Sequence, residues 1–264
     1  MFIQQFPIPH SLQNHIVNIS FYKLTKDEML RRKILPDNIT SLFVFLNPTI
    51  HLKECFSNSI INYRVAYAGP YSKPRLYEVE EEIRFIKIDF FPWGAFSAFG
   101  LEQYKLHNTT IDAYKLFPKL KLYSKPLEAS LDNIETCIAI LEQFMFEDCH
   151  EYLTPTDEKI ITACNLIKSK DKNIPIKELC TLVNMSQNSF CNHFTKIIGI
   201  SPKLFGQIAR YSKAKKIIHS TIDINWNEIA FQFGYFDQSH FIKEYKRFSG
   251  AIPKEYKAWK NFYN

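Results

Sequence analysis

The feature that most constrains this chain is an internal repetition in its last third. Two segments, Ile174–Gly199 (IPIKELCTLVNMSQNSFCNHFTKIIG) and Ile224–Gly250 (INWNEIAFQFGYFDQSHFIKEYKRFSG), share one layout. Each reads as a short helix, a tight turn, and a second helix opened by a small polar residue. Ile176, Leu179, Val183 and Met185 supply the apolar positions of the first unit, and Trp226, Ile229, Ala230, Phe233 and Tyr235 those of the second. Gly234 gives the second turn a backbone that tolerates positive φ. Asn184, the usual second choice, stands at that place in the first. Asn225 with Glu228 fits a capping box.

The second helix of each unit has two distinct faces. In Ser186–Ile198, Phe190, Phe194 and Ile197 recur at helical spacing and should face inward, leaving Gln187, Asn188, Cys191, Asn192 and Lys196 outside. In Asp237–Phe248, Phe241, Tyr245 and Phe248 should face inward, leaving Gln238, Ser239, His240, Lys243, Lys246 and Arg247 outside. Amides pair bidentately with adenine, and Lys or Arg reaches guanine or phosphate, so both faces suit the major groove of double-stranded DNA. On one helix alone, a solvated polar face would be the plainer reading. Two such faces in matching units favour DNA.

Between the units, Ser201 caps a stretch that opens with Pro202 and runs to Ser220. As a helix it is a rod about 27 Å long, a scale that holds two recognition helices near one DNA turn, roughly 34 Å, apart. Arg210, Lys213, Lys215 and Lys216 are expected to reach phosphates, with solubility as the alternative use of each.

Charge is distributed in keeping with this. From residue 155 onward there are 17 Lys and Arg against 9 Asp and Glu, whereas the first 154 residues hold 16 against 18. A basic module joined to a slightly acidic one points to a polyanion-binding part and a differently employed partner.

The front hundred residues read as strands. Glu81–Phe91 (EEIRFIKIDFF) has the period-two pattern of a half-buried strand, and Ser41–Leu46 and Ile61–Tyr67 are rich in β-branched and aromatic residues. Gly69–Pro74 and Phe91–Gly100 read as punctuation between them. Past residue 124 the period changes: Leu127, Leu131, Ile134, Ile138, Leu141 and Met145 follow one another by 4, 3, 4, 3 and 4 residues, one narrow helical stripe. A helix over 126–146 either lies on its own domain or packs against its twin in a homodimer. His150–Lys159 reads as a linker in which Thr156 caps the next helix. The expected division is 1–150 and 151–264.

The six cysteines fall at no metal-ligand spacing and the eight histidines form no H-x-H or H-E-x-x-H pair, so no metal and no cofactor are expected. No run approaches the roughly 18 apolar residues of a membrane span, and no basic leader with an apolar core opens the chain, so the expectation is a cytoplasmic protein.

The basic part resembles the AraC/XylS family of bacterial transcription regulators from about Thr156 to Trp259. The resemblance is strongest in NEIAFQFGYFDQSHFIKEYKRFSGAIPKEY, with Ile229-Ala230, Gly234-Tyr235, Asp237-Gln238-Ser239, Phe241, and Gly250 followed by Pro253 and Tyr256. Gly199–Phe205 (GISPKLF) matches the family's entry to its linker helix. The resemblance implies seven helices, two recognition helices in adjacent major grooves, and binding near promoters. By position it places base-reading on Asn188, Cys191 and Asn192, and on Gln238, Ser239 and Lys243. Cys191 and Asn192 replace longer polar or basic residues, so the first helix is expected to read fewer bases.

The front part resembles the cupin-like sensor domain of some AraC-type regulators in Leu35–Leu46, Ala68–Pro74 and Phe90–Gly100. Asn38-Ile39-Thr40 stands where a Gly-containing turn is usual. The paired histidines and glutamate of enzymatic cupins are absent, so a metal-dependent enzyme is not expected. The fold expected is α+β, a β-rich cupin-like barrel with helices followed by an all-α double helix-turn-helix domain.

Two uses of the front part remain open. It binds a small-molecule effector, or it serves only dimerisation or contact with RNA polymerase. An open apolar cavity with a few convergent polar groups would favour the first, and a barrel filled by its own Phe and Tyr the second. A catalytic front domain would need a nucleophile with its base, or a metal cluster, and neither motif is present.

Overall fold

The computed structural model describes residues 1–25, 32–56, 59–78, 82–221 and 224–258. Glu81, at the start of the expected strand, and Trp259, at the end of the family-like stretch, lie outside them. Among the described residues of the front half there are ten strands: β1 (Phe2–Phe6), β2 (Ile16–Leu24), β3 (Arg32–Ile34), β4 (Thr40–Phe45), β5 (Leu52–Glu54), β6 (Ser59–Ile61), β7 (Val65–Ala68), β8 (Arg75–Glu78), β9 (Ile83–Phe90) and β10 (Thr110–Asp112). They form two antiparallel sheets, ordered β1-β2-β9-β4-β7-β10 and β3-β8-β5-β6.

Alternation along β9 gives the larger sheet two working faces. Ile86 pairs with Phe21 and Val44, and Ile88 with Ile19 and Leu42, all buried in the front core. On the opposite face Phe85 stacks on Tyr22 (ring centroids 5.0 Å) and leans on Phe43 (5.8 Å). That face, with strands of the smaller sheet, encloses a cavity of about 350 Å³.

Four local expectations need correction. Ile61–Tyr67 is not one strand, because the chain turns after β6 and re-enters the other sheet as β7. Arg64 holds the bend, its Nη1 donating to the Phe45 and Asn47 carbonyls at 2.7 and 2.5 Å. Phe91–Gly100 is not mere punctuation. It contains α1 (Gly94–Phe99), buried over its first five residues and closed by Gly100 in the left-handed conformation. Gly94 is required there, since a Cβ would lie 2.0 Å from the His15 carbonyl oxygen.

The helix over 126–146 is two helices, α2 (Ser124–Ala129) and α3 (Ile134–Asp148). Asn133 bonds locally instead of continuing the ladder: its N–H donates to the Ser130 carbonyl, and its side chain caps α3. Leu127, Ile138, Leu141 and Met145 are buried in the front core, with Leu131 and Ile134 half-buried against it. The apolar stripe is thus satisfied within its own domain. A homodimer through 126–146 would have to use the other side, where Phe146 is exposed.

Among the described residues from Pro155 on there are seven helices: α4 (Pro155–Ser169), α5 (Ile176–Leu182), α6 (Gln187–Ile198), α7 (Pro202–Ser220), α8 (Trp226–Gln232), α9 (Gln238–Ser249) and α10 (Pro253–Ala258). The cap of α4 is Thr154, not Thr156. Thr154 and Asp157 form a reciprocal capping box with Pro155 in the first turn. Helices α4 to α9 share one core, joined from the front half by Leu35, Trp93 and Phe96. Among the described residues, no helix is long and apolar enough to cross a membrane.

Candidate nucleic-acid interface

Local signals set both helix-turn-helix units. Asn184 (φ 50°) and Gly234 (φ 66°) make the left-handed turns, as expected from their place in the layout. Ser186 and Asp237 accept the Ser189 and His240 N–H groups at the starts of α6 and α9, and left-handed Gly199 and Gly250 end them. Asn225 caps α8, accepting from the Asn227 and Glu228 N–H groups while its amide donates to Glu228 Oε1 at 2.8 Å.

On α6, Phe190, Phe194, Ile197 and Ile198 are buried, and Gln187, Asn188 and Asn192 are exposed. Asn192 donates weakly along the helix to Asn188 Oδ1 at 3.5 Å. Cys191 is half-buried against the helical core, so its thiol is turned partly inward. Lys196 points to the front domain, with its Nζ 3.6 Å from Glu102 Oε1 and 5.7 Å from the Phe96 ring centre. On α9, Phe241, Tyr245 and Phe248 are buried. Ser239, His240, Lys243, Lys246 and Arg247 are exposed, and Gln238 is half-buried.

Two residues expected at phosphates are placed elsewhere. Arg210 on α7 is buried, held to Glu244 of α9 through Nη2 (2.6 Å) and Nε (3.2 Å) and stacked 3.8 Å above the Tyr235 ring. It braces the second unit internally, and its charge is not available to a ligand. Lys215 lines the front cavity beside Asp37 and Lys87, and burial lowers its pKa. Lys213 is bound to Asp171 (3.0 Å) and to the Lys170 carbonyl, whereas Lys216 is exposed.

Sequence reasoning missed Glu244 and the polar end of the cavity. A signal existed for Glu244: it stands three residues after Phe241 and directly before Tyr245, on the apolar side of its helix. The cavity's charges, Arg32, Lys33, Asp37, Lys87 and Lys215, come from three separated stretches. Burial raises the Asp37 pKa against the pull of Lys87. Burial also lowers Lys87, but the Asp89 and Asp37 carboxylates outweigh it and leave it raised.

The front domain touches both units at equivalent places. A Cβ on Gly199 would lie 2.5 Å from Pro70 Cγ, and one on Gly250 would lie 2.7 Å from Lys33 Nζ and 3.6 Å from Pro74 Cγ. Asn38, left-handed at φ 61° where a glycine turn is more usual, donates from Nδ2 to the Phe205 carbonyl of α7 at 3.0 Å.

Two tandem helix-turn-helix units on one linker helix define a double helix-turn-helix protein. Residues 179–258 match a helix-turn-helix domain family. Over 127 residues the chain is 29% identical to the arabinose operon regulatory protein of Escherichia coli, a stretch covering 46% of this chain and 43% of that protein. The match thus spans less than half of that relative's length. The fold extends further: ToxT from Vibrio cholerae superposes with a TM-score of 0.51 at 12% identity, covering 91% of this chain and 97% of that one. The likeness to ToxT is one of fold, an N-terminal sheet domain followed by a helical domain.

Proposed function

We propose that this chain is a sequence-specific transcription regulator of the AraC type that reads two adjacent major-groove segments of an operator. The observation that carries this is the pair of exposed polar faces on α6 and α9, the second helices of the two units that the 19-residue helix α7 joins. Asn188 and Asn192 would read bases in the first segment, with Gln187 beside them. Gln238, Ser239 and Lys243 would read the second, and His240, Lys246 and Arg247 flank them for phosphate or base contact. Selection of bound duplexes from a random pool by the full chain tests it. Two short conserved patches about one helical turn apart are expected, and binding that merely fades with salt and enriches nothing would sink the reading.

The finer part of the proposal is control by a small molecule in the front domain. Its support is the cavity, which stays open although Phe43, Phe45, Tyr22 and Phe85 surround it. Lys87 and Lys215 act on Asp37 in its lining, which Arg32 and Lys33 also join, and this suits an apolar body with an anionic group. Lys215 belongs to α7, and Lys33 lies against Gly250 at the end of α9, so an occupant would touch elements that position both readers. Calorimetry with a series of amphipathic carboxylates checks this, and heats unaffected by Lys215→Ala and Lys33→Ala would refute it. Homodimerisation, and contact with RNA polymerase beside a bound promoter, are the further partners this role carries.

A further inference from the structure

The two helix-turn-helix units differ by one residue at the turn. In the first, Asn184 and Met185 lead directly to the cap Ser186. In the second, Gly234 and Tyr235 are followed by Phe236 before the cap Asp237. The extra residue does not pack. Phe236 is 93% exposed, more than any other large apolar side chain among the described residues. Its backbone N–H donates to His240 Nδ1 at 3.4 Å, and His240 in turn meets the Tyr235 ring edge-on. Phe236 therefore heads a surface stripe that continues through His240, Lys243 and Arg247 at spacings of four, three and four residues, all exposed.

A phenyl ring left in water forgoes favourable burial, and here it stands on a cationic surface at the N-terminal end of a helix proposed to read bases. In helix-turn-helix docking, that end of the recognition helix contacts the base edges. Phenylalanine has no hydrogen-bonding group, so it can discriminate bases only through apolar contact. Thymine's C5-methyl is the apolar group on the major-groove edges.

Resting on the DNA-reading role above, we propose that Phe236 is a specificity-determining residue that packs against the C5-methyl of one thymine in the segment read by α9. The neighbouring cations Lys243 and Arg247 would hold the backbone or a guanine nearby. The first unit, lacking the extra residue, would have no equivalent thymine contact.

The test uses the full chain and the duplex it selects from a random pool. Each thymine is replaced singly by deoxyuracil, which removes only the methyl group. One thymine in the α9 segment is expected to weaken binding about three- to five-fold on replacement, the scale of one buried methyl group. In Phe236→Ala that same replacement should have no effect, and selection by this variant should lose its preference for thymine there. Because the ring is exposed, the variant should unfold at the same temperature as the parent. Deoxyuracil scans that are flat throughout the α9 segment would overturn the proposal while leaving the DNA reader intact. So would a Phe236→Ala loss that is equal with and without the methyl group. Failure to enrich any sequence would overturn both.

Discussion

The first helix-turn-helix unit is held from outside and the second from within. At the first, the end of α6 rests on the front domain: Lys196 reaches Glu102, and Gly199 sits against Pro70 and the Gln103 carbonyl. At the second, the buried Arg210–Glu244 pair ties α9 to the linker helix, with Arg210 stacked on Tyr235. The exposed faces differ as well. α6 offers neutral amides, whereas α9 offers amide, hydroxyl, imidazole and three cations. The comparison points to a division of labour: the front domain touches both units, but the second also carries its own internal brace and the first leans more on the front domain.

The largest expected effect breaks the second unit. Glu244→Leu would leave the Arg210 guanidinium buried without its counter-charge, and should cost about 3–5 kcal/mol in denaturant unfolding. Combining it with Arg210→Met should recover most of that stability, because two apolar residues need no compensation in the core. If the double variant is no better than the single, the brace is not an isolated pair.

A smaller effect separates the two docking points. Gly199→Ala must accommodate a Cβ 2.7 Å from the Gln103 carbonyl oxygen and 2.5 Å from Pro70, at φ 86°. Backbone and ring cannot easily yield, so a loss of about 3 kcal/mol is expected. Gly250→Ala meets chiefly the flexible end of Lys33 at φ 75°, and should cost only about 1–2 kcal/mol. Equal thermal shifts for the two variants would remove the asymmetry proposed here.

Base preference gives the next contrast. Lys243→Ala or Gln238→Ala should relax preference at one position of the second segment, weakening the selected site by about 1–3 kcal/mol. Asn188→Ala should do less at the first, measured on the same duplex, since Asn188 already shares its amide with Asn192. Uniform losses across all sequences for Gln238→Ala would count against base reading.

The smallest effects concern charges outside the two reading faces. Lys215→Ala should leave the salt dependence of DNA binding unchanged, because its ammonium lines the cavity. Lys216→Ala, on the exposed side of α7, should make that dependence shallower by about one ion. Lys196→Ala loses a largely exposed ion pair worth about 0–1 kcal/mol, and is expected to alter stability little.

The sequence by itself determined the C-terminal helices and their turns. The signals there are local: Ser186, Ser201, Asn225 and Asp237 as caps, Pro202 and Pro253 in first turns, and Gly199, Gly234 and Gly250 with Asn184 at left-handed positions. Each acts within four residues of itself, so reading along the chain finds it. Alternation likewise revealed β9, and β-branched and aromatic composition revealed β4. Only the tertiary structure decided what depends on partners distant in sequence. Arg210 finds Glu244, 34 residues on, and becomes a buried brace rather than a phosphate contact. Lys215 meets Asp37 across the domain seam, and the stripe from Leu127 to Met145 closes over its own sheet. The cavity is likewise a property of two sheets together, since periodicity assigns a residue to a face but not what stands opposite that face.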